Sequence, residues 1–316
     1  EVDAPFADTV ERYLRTNEGL SLSAYERQWL RSLITSEFRN DYAADHSDLT
    51  TIWQDDKVWA GREVFFPAGF SQVVDLLTQG ICIKYNTPVI NINYNVLEAI
   101  VTTSEWEKYR ARKVIVTVPL GFLERHNNTL FTPPLPDAKL RAMQTLGMGT
   151  LNKVILVWRR AWWAEVLTTE WAVRGVPEEL PSFDTFYNLA ATQERLPILV
   201  AFHAGSQAER LEDLSDQAIR ERALSALATI LPEGMTIPKP AEVLVTRWHQ
   251  NPWSLGSYSH VRPGQRGAHA ELAAPLAGTL FFAGASPLQR LSGRHCSDRL
   301  NMPMRYDYLE GANVAD

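Results

Sequence analysis

In the stretch Leu151–Trp158, "LNKVILVW", strand alternation puts Lys153 on one face with Leu151, Ile155 and Val157. An ammonium in the middle of an apolar face is costly unless it finds a partner or reaches water. Two roles fit: a lysine guarding an exposed sheet edge, the commoner arrangement and the one spacing alone favours, or a functional group. A second stretch, "RWHQNPWSLGSYS", sets Trp248, Trp253 and Tyr258 at equal intervals around Pro252 and Gly256. Aromatic packing under a loop is its ordinary use. The chemical alternative is a cage whose ring faces hold an amine by cation–π attraction or an apolar chain by contact. Loops on a rigid scaffold are where such sites occur.

Other chemistries find less support. The seven histidines are scattered, with no two at ligand spacing on one element, so a metal site is not expected. A G-x-S-x-G nucleophile motif is absent. Gly147-Met148-Gly149 lacks the third glycine of a dinucleotide fingerprint and lies between a helix and a strand, the wrong order for phosphate binding. The Asn127-Asn128-Thr129 sequon is too common to decide anything. Cys82 and Cys296 give neither a disulfide framework nor a metal pattern, and lean towards a reducing compartment.

The elements that must position Lys153 and the aromatics follow from changes of period. Ser23 to Glu26 is an S-x-x-E capping box, and Trp29, Leu30, Leu33, Ile34 and Phe38 recur on one face of a helix ending near Asn40. "SQVVDLLTQ" reads as a second helix. Short β-branched runs follow: "ICIKY", "VININY", "LEAIVTT" and "RKVIVTV". "PLPDAKLRAMQTL" is a helix opened by prolines. "LNKVILVW", "PILVAFH" and "EVLVTRW" are strands, and between the last two lies an amphipathic helix with Ser215 as N-cap and Pro232 as its stop. Strands and helices mix without strict alternation, which predicts an α/β or α+β protein.

The 316 residues suggest two domains or one large one. A hydrophobic content of 45% and a charged content of 22% are those of an ordinary globular chain. The formal net charge of −6 argues against nucleic acid and anionic membranes and permits a cationic ligand. No apolar run is long enough to span a membrane, and no signal peptide is visible. A soluble, cytoplasmic protein is the expectation. Oligomeric state is not legible.

Taken in order, "GREVFFPAGFSQVVDLL", "YNTPVININY", "KVIVTVPLGFL", "FTPPLPDAKLRAMQTLGMGTLNKVIL" and "RWHQNPWSLGSYSHVRPG" resemble the flavin-dependent amine oxidases, in particular the branch of polyamine oxidases and lysine-specific histone demethylases. The resemblance implies an α/β fold: part of a Rossmann-like FAD domain interleaved with an α+β substrate domain, a mixed sheet flanked by helices. It places residues 1–56 and 126–274 in the substrate domain, and 57–125 with 275–316 in the FAD domain. It implies FAD as cofactor, a small amine as substrate and molecular oxygen as electron acceptor. Lys153 matches the family lysine that holds a water at the flavin N5. Val89 matches a valine whose backbone meets the adenine end, and Thr117, Val118 and Pro119 match a strand-to-loop segment near the cofactor. Gly284 opens the family's flavin-facing turn. Trp248, Trp253 and Tyr258 match aromatic positions beside the flavin and the substrate. Glu37 and Asp41 fall where the family lines its substrate entrance, although carboxylates on a helix are more often simply solvated.

The chemistry so implied is hydride transfer from the α-carbon of a neutral amine, most readily a polyamine, to the flavin, followed by hydrolysis of the imine and formation of hydrogen peroxide. The "EFRNDYAADHSDLT" stretch favours polyamine oxidases over demethylases. A third reading is a chain unable to hold FAD. The family's N-terminal G-x-G-x-x-G unit has no counterpart, which puts Glu1 after it. After Gly284 the hydrophobic period is lost, and Ala285 stands where the family has a glutamate. A reading frame shifted inside the Ala285 codon accounts for both, and implies that residues 285–316 pack poorly.

Overall fold

In the computed structural model the described residues are 5–50, 66, 69–167, 171–174, 183–263 and 267–284. The chain divides into two compact units, each built from separate stretches of sequence. One comprises Glu1–Gln54, Pro119–Phe122 and Met143–Arg266, and the other Asp55–Val118, Leu123–Ala142 and Gly267–Asp316.

The first unit opens with α1 (Phe6–Leu14), a short helix Asn17–Ser21, and α2 (Ala24–Tyr42). The capping box holds: Ser23 N donates to Glu26 Oε2 at 2.7 Å, and Glu26 N donates to Ser23 Oγ at 3.2 Å. The helix ends where Ala43 turns left-handed. Further strands and helices are β1 (Leu146–Gly149), β2 (Leu151–Val157), β3 (Ala172–Arg174), β4 (Thr185–Asn188), β5 (Ile198–Ala204), α3 (Gly205–Glu212), α4 (Asp216–Ile230), β6 (Glu242–Val245) and β7 (Tyr258–Val261). Ser215 caps α4 as expected, its Oγ accepting from Ala218 N.

Five strands form an antiparallel sheet in the order β6-β2-β5-β4-β3. One face carries the main core. Val154, Leu156 and Trp158 of the Lys153 strand pack there with Ile219, Ala223 and Leu227 of α4. Each fully buried aliphatic side chain of this kind stabilises by about 1.5–3 kcal/mol. Trp163 is wholly buried beside Trp158 and Trp162, and its Nε1 donates to Asn188 Oδ1 at 2.9 Å, so the polar edge of the indole is satisfied. Asp45, just after α2, accepts from Ser206 N at the start of α3 and lies 3.6 Å from Arg39, which ties the helical segment to the sheet.

The second unit holds a four-stranded sheet in the order Lys108–Ala111, Ala99–Thr103, Val89–Tyr94, Phe131–Thr132, and a parallel pair, Val114–Val116 with Leu280–Phe282. Lys139 is buried and donates to the carbonyls of Glu271, Leu272 and Ala274, closing the C-terminal end of helix Ala268–Ala273.

The mixed α/β class expected from the pattern is the class observed. "ICIKY" differs: Ile81–Tyr85 join no strand ladder among the described residues, and Ile81 and Tyr85 are exposed. Alternation prepares a segment for a sheet, but a ladder also needs a neighbour with free backbone groups.

Candidate active site

Lys153 does not guard an edge. Its strand is paired on both sides, with Phe202 directly opposite on β5 and Val245 opposite the next residue on β6. Its own amide donates to Thr246 Oγ1 at 2.8 Å, and its carbonyl accepts from Thr246 N at 3.1 Å. Edge protection requires an open ladder, so that role is removed. The side chain is 5% exposed, and its Nζ stands 5.4 Å from the centre of the Phe202 ring. Burial alone holds its pKa down at about 7, and among the described residues no carboxylate or hydrogen-bond acceptor meets the Nζ. A buried, unpartnered amine that is part neutral near pH 7 can both accept and donate one hydrogen bond to a bound water or ligand.

The opposite face of β2 anchors the aromatic loop. Asn152 is buried, and its Nδ2 donates to Glu212 Oε1 at 2.6 Å. Its Oδ1 accepts from Thr246 Oγ1 and from Trp248 N, both at 3.0 Å. Glu212, also buried, accepts from His249 N and Gln250 N at 2.8 Å. Two side chains thereby fix the backbone of Trp248–Gln250. The loop then closes on itself: Gly256 N donates to the Trp248 carbonyl at 2.9 Å. Gly256 has φ +141, and a Cβ there would lie 2.5 Å from Met148 Cγ, so this turn needs glycine.

Within that frame the three aromatic candidates are spread out. Trp248 is half-buried. Trp253 is 59% exposed and stacks on Phe122, with ring centres 6.3 Å apart. Tyr258 donates its hydroxyl to the Asn40 carbonyl and packs, with Phe202, on Ala43, Leu151 and Ala204. Glu37 is exposed and Asp41 half-buried, one turn apart on α2. Pro119 is half-buried at the head of the short segment whose Gly121 lies against the carbonyls of Ser254 and Leu255.

In the second unit, Thr117 and Val118 are exposed just beyond the Val114–Val116 strand. Gly284 follows the parallel partner strand with φ +133, and a Cβ there would come 3.6 Å from the Thr117 carbonyl. These three positions therefore gather at the carboxyl ends of neighbouring parallel strands, where open α/β sheets bind ligands. Val89 opens a different sheet, at a break in register between Val89 and Asn91. Ala285 and the residues after it lie outside the described residues.

Sequence reading missed Asn152 and Glu212. A signal was present: "NK" is a polar pair inside an apolar strand, so whichever face was core, one polar side chain had to enter it. Among the described residues no group of three His, Cys, Asp or Glu side chains is placed to hold a metal ion, and no helix is long and apolar enough to cross a membrane.

Comparison with known proteins adds the following. The sequence model of a family described as flavin containing amine oxidoreductase matches residues 3–295. A lysine-specific histone demethylase 1 homolog 1 from Arabidopsis thaliana is 33% identical over 288 residues, covering 90% of this chain and 34% of that protein. Lysine-specific histone demethylase 2 from Homo sapiens is 28% identical over 295 residues, covering 89% and 35%. The chain thus spans about a third of the length of these relatives. Among solved structures, cyclohexylamine oxidase from Brevibacterium oxydans IH-35A superposes with a TM-score of 0.69 at 18% identity, covering 90% of this chain and 62% of that one. Putrescine oxidase bound to putrescine gives 0.60 at 22% identity, covering 74% and 51%. At these identities the two structures speak for the fold.

Proposed function

The chain belongs to the flavin containing amine oxidoreductases, and from that premise we propose that it carries the amine-handling sheet of an FAD-dependent oxidase acting on an aliphatic amine, with polyamines as the first substrate class. The observation that carries this reading is the lysine at the centre of the sheet. Lys153 is buried beside the Phe202 ring, has no carboxylate or hydrogen-bond acceptor among the described residues, and is held near pKa 7 by burial. The fold has other ways to fill an apolar position, and a group so placed fits a water or cofactor atom that it must meet.

Each unit, taken by itself, offers residues that suit the cofactor. Lys153 offers an amine on a largely buried side chain, with no hydrogen-bond acceptor at its Nζ among the described residues. Thr117, Val118 and Gly284 offer backbone at the carboxyl ends of parallel strands, with no side chain at Gly284 to obstruct approach. When bound, the flavin supplies the acceptor for the two electrons of the amine's α-carbon–hydrogen bond. This chain's residues do the rest. The Lys153 Nζ orients a water by one hydrogen bond, and its neutral form can take up a proton there. Aromatic and aliphatic surroundings favour the neutral amine over its ammonium, because desolvation penalises the charged form. The Asn152–Glu212 pair holds the Trp248 backbone in position, so the aromatic loop is set before substrate arrives. Turnover of this kind would release an imine for hydrolysis and, with oxygen as final acceptor, hydrogen peroxide.

A second reading is supported by the relatives. Those of 28–33% identity carry the name of lysine-specific histone demethylases, which favours a methylated lysine side chain as substrate. The deciding experiment is a peroxide-coupled assay of the holoprotein with polyamines and with methyl-lysine peptides. Peroxide from polyamines alone supports the first reading, and from peptides alone the second. A protein that yields no peroxide with either and shows no flavin absorbance after gel filtration refutes both.

A further inference from the structure

Lys153 and Thr246 face each other where β2 and β6 part. The ladder between these strands runs from Glu242 opposite Val157 to Val245 opposite Val154, so the next two residues in register are Thr246 and Lys153. A hydrogen-bonded pair in an antiparallel ladder exchanges two backbone bonds. Here Thr246 N donates to the Lys153 carbonyl at 3.1 Å, but the Lys153 amide donates to the Thr246 side chain, Oγ1, at 2.8 Å. The Thr246 hydroxyl donates in turn to Asn152 Oδ1 at 3.0 Å, and the same Oδ1 accepts from Trp248 N at 3.0 Å. Chemistry fixes these directions. A backbone N–H can only donate, so Oγ1 and Oδ1 both accept, and the hydrogen between them is the hydroxyl's. Beyond Thr246 the chain is held residue by residue. Arg247 donates to the carbonyls of Glu212 and Leu214 at 3.2 and 2.8 Å, and Glu212 accepts from His249 N and Gln250 N.

One oxygen atom therefore joins two parts of the site. On one side is the backbone of the buried lysine, and on the other the clamped segment that carries Trp248. A ladder carbonyl in that place could accept from Lys153 but could not donate onward to Asn152; a hydroxyl does both. We propose that Thr246 is a positioning residue, whose hydroxyl sets the Lys153 backbone against the Trp248 loop and keeps amine and loop in one fixed relation. This role deepens the reading of the chain as an amine oxidase and rests on it.

The test is NMR of the protein labelled at lysine Cε and tryptophan Nε1, in the parent, in Thr246→Val, which keeps the shape without the hydroxyl, and in Thr246→Ser, which keeps the hydroxyl. Lys153 and Trp248 signals are identified by their loss in Lys153→Met and Trp248→Phe. Without the hydroxyl the Lys153 backbone is released and water reaches the ammonium. The Lys153 midpoint should then rise from about 7 by about one pH unit or more, and the Trp248 indole signal should move with it. Thr246→Ser should return both. In the holoprotein, kcat should fall about tenfold to hundredfold in Thr246→Val, with a smaller change in KM, and recover in Thr246→Ser. Thr246→Ala takes the place of Thr246→Val if the latter does not melt cooperatively. A hydroxyl that only stabilises the fold would lower the melting temperature and leave the Lys153 midpoint and the Trp248 signal in place. That result, or Thr246→Ser behaving like the hydroxyl-free variants, overturns the positioning role. The two labelled signals need no turnover, which separates the two readings. Signals that move as expected in a protein that makes no peroxide from any amine refute the oxidase reading alone, and peroxide from the parent with unmoved signals in Thr246→Val refutes the positioning role alone.

Discussion

Asn152 and Glu212 meet at 2.6 Å on the side of the sheet away from Lys153, and between them they hold three amides and a hydroxyl of the Thr246–Gln250 segment. Removing either leaves buried donors without acceptors. Glu212→Ala should cost roughly 2–4 kcal/mol in urea unfolding, and Asn152→Ala about as much. Because both act on one network, the double variant should cost clearly less than the sum of the singles. An additive result would mean that the two residues work independently.

Lys153→Met tests the central claim about the site. The holoprotein should keep its flavin absorbance, while turnover or flavin reoxidation slows by orders of magnitude. Near-normal kinetics would leave the lysine without a functional role.

The same variant makes a prediction about stability. The folded pKa of Lys153 is about 7 and the ordinary value 10.5, so between those pH values the unfolded chain binds more protons than the folded one. Stability from this group therefore rises with pH across that window, and its full penalty is present below pH 7. Lys153→Met should be more stable than the parent at pH 6, with the advantage shrinking by roughly 5 kcal/mol as pH passes 10.5. The check is a series of denaturant midpoints for both proteins. A difference that does not depend on pH would show that the lysine is not desolvated.

Trp253→Ala and Tyr258→Ala should each weaken amine binding by roughly 1–3 kcal/mol if they contact the substrate. Their effects on folding should separate them. Trp253 is mostly exposed, so its loss should move the melting temperature little. Tyr258 packs on Ala43 and Leu151 and donates to the Asn40 carbonyl, so its truncation should destabilise, and Tyr258→Phe by about 1 kcal/mol. Binding and stability that fall together in both variants would return the pair to a packing role.

The tail is tested at the level of the gene. Removing one base from the Ala285 codon allows the same bases to read Gly-Glu-Ala-Pro-Cys-Ser-Asp-Tyr-Pro-Ala-Ala-Thr-Val from Gly284 onward, given suitable synonymous codons. The nucleotide sequence is expected to open that frame. If no single-base change near the codon does so, the tail is a divergent one.

Local features were legible because they depend on neighbours in sequence. The Ser23–Glu26 box, the α4 cap at Ser215 and the cost of Lys153 all follow from a few adjacent residues. The site's surroundings were not. Spacing alone favours an edge for Lys153, and only the family resemblance makes it catalytic, because alternation says which face a residue takes and nothing about who lies beside it. Its two neighbours come from segments that follow in the chain, Ile198–Ala204 and Glu242–Val245. The Thr246 hydroxyl was hidden for the same reason: it meets Lys153 and Asn152 only after two chain segments have been placed side by side. The amine-oxidase family could be reached only through motifs that chemistry alone does not distinguish from ordinary packing.

The parallel pairing of Val114–Val116 with Leu280–Phe282 has a consequence during synthesis. Every strand of the five-stranded sheet lies between these partners in the chain. A ribosome adding about 5–20 residues per second leaves Val114–Val116 waiting roughly 10–30 seconds for its partner, long enough for the five-stranded sheet to close first. That order leaves the apolar Val114–Val116 strand without its ladder partner, its backbone groups open, until late in synthesis.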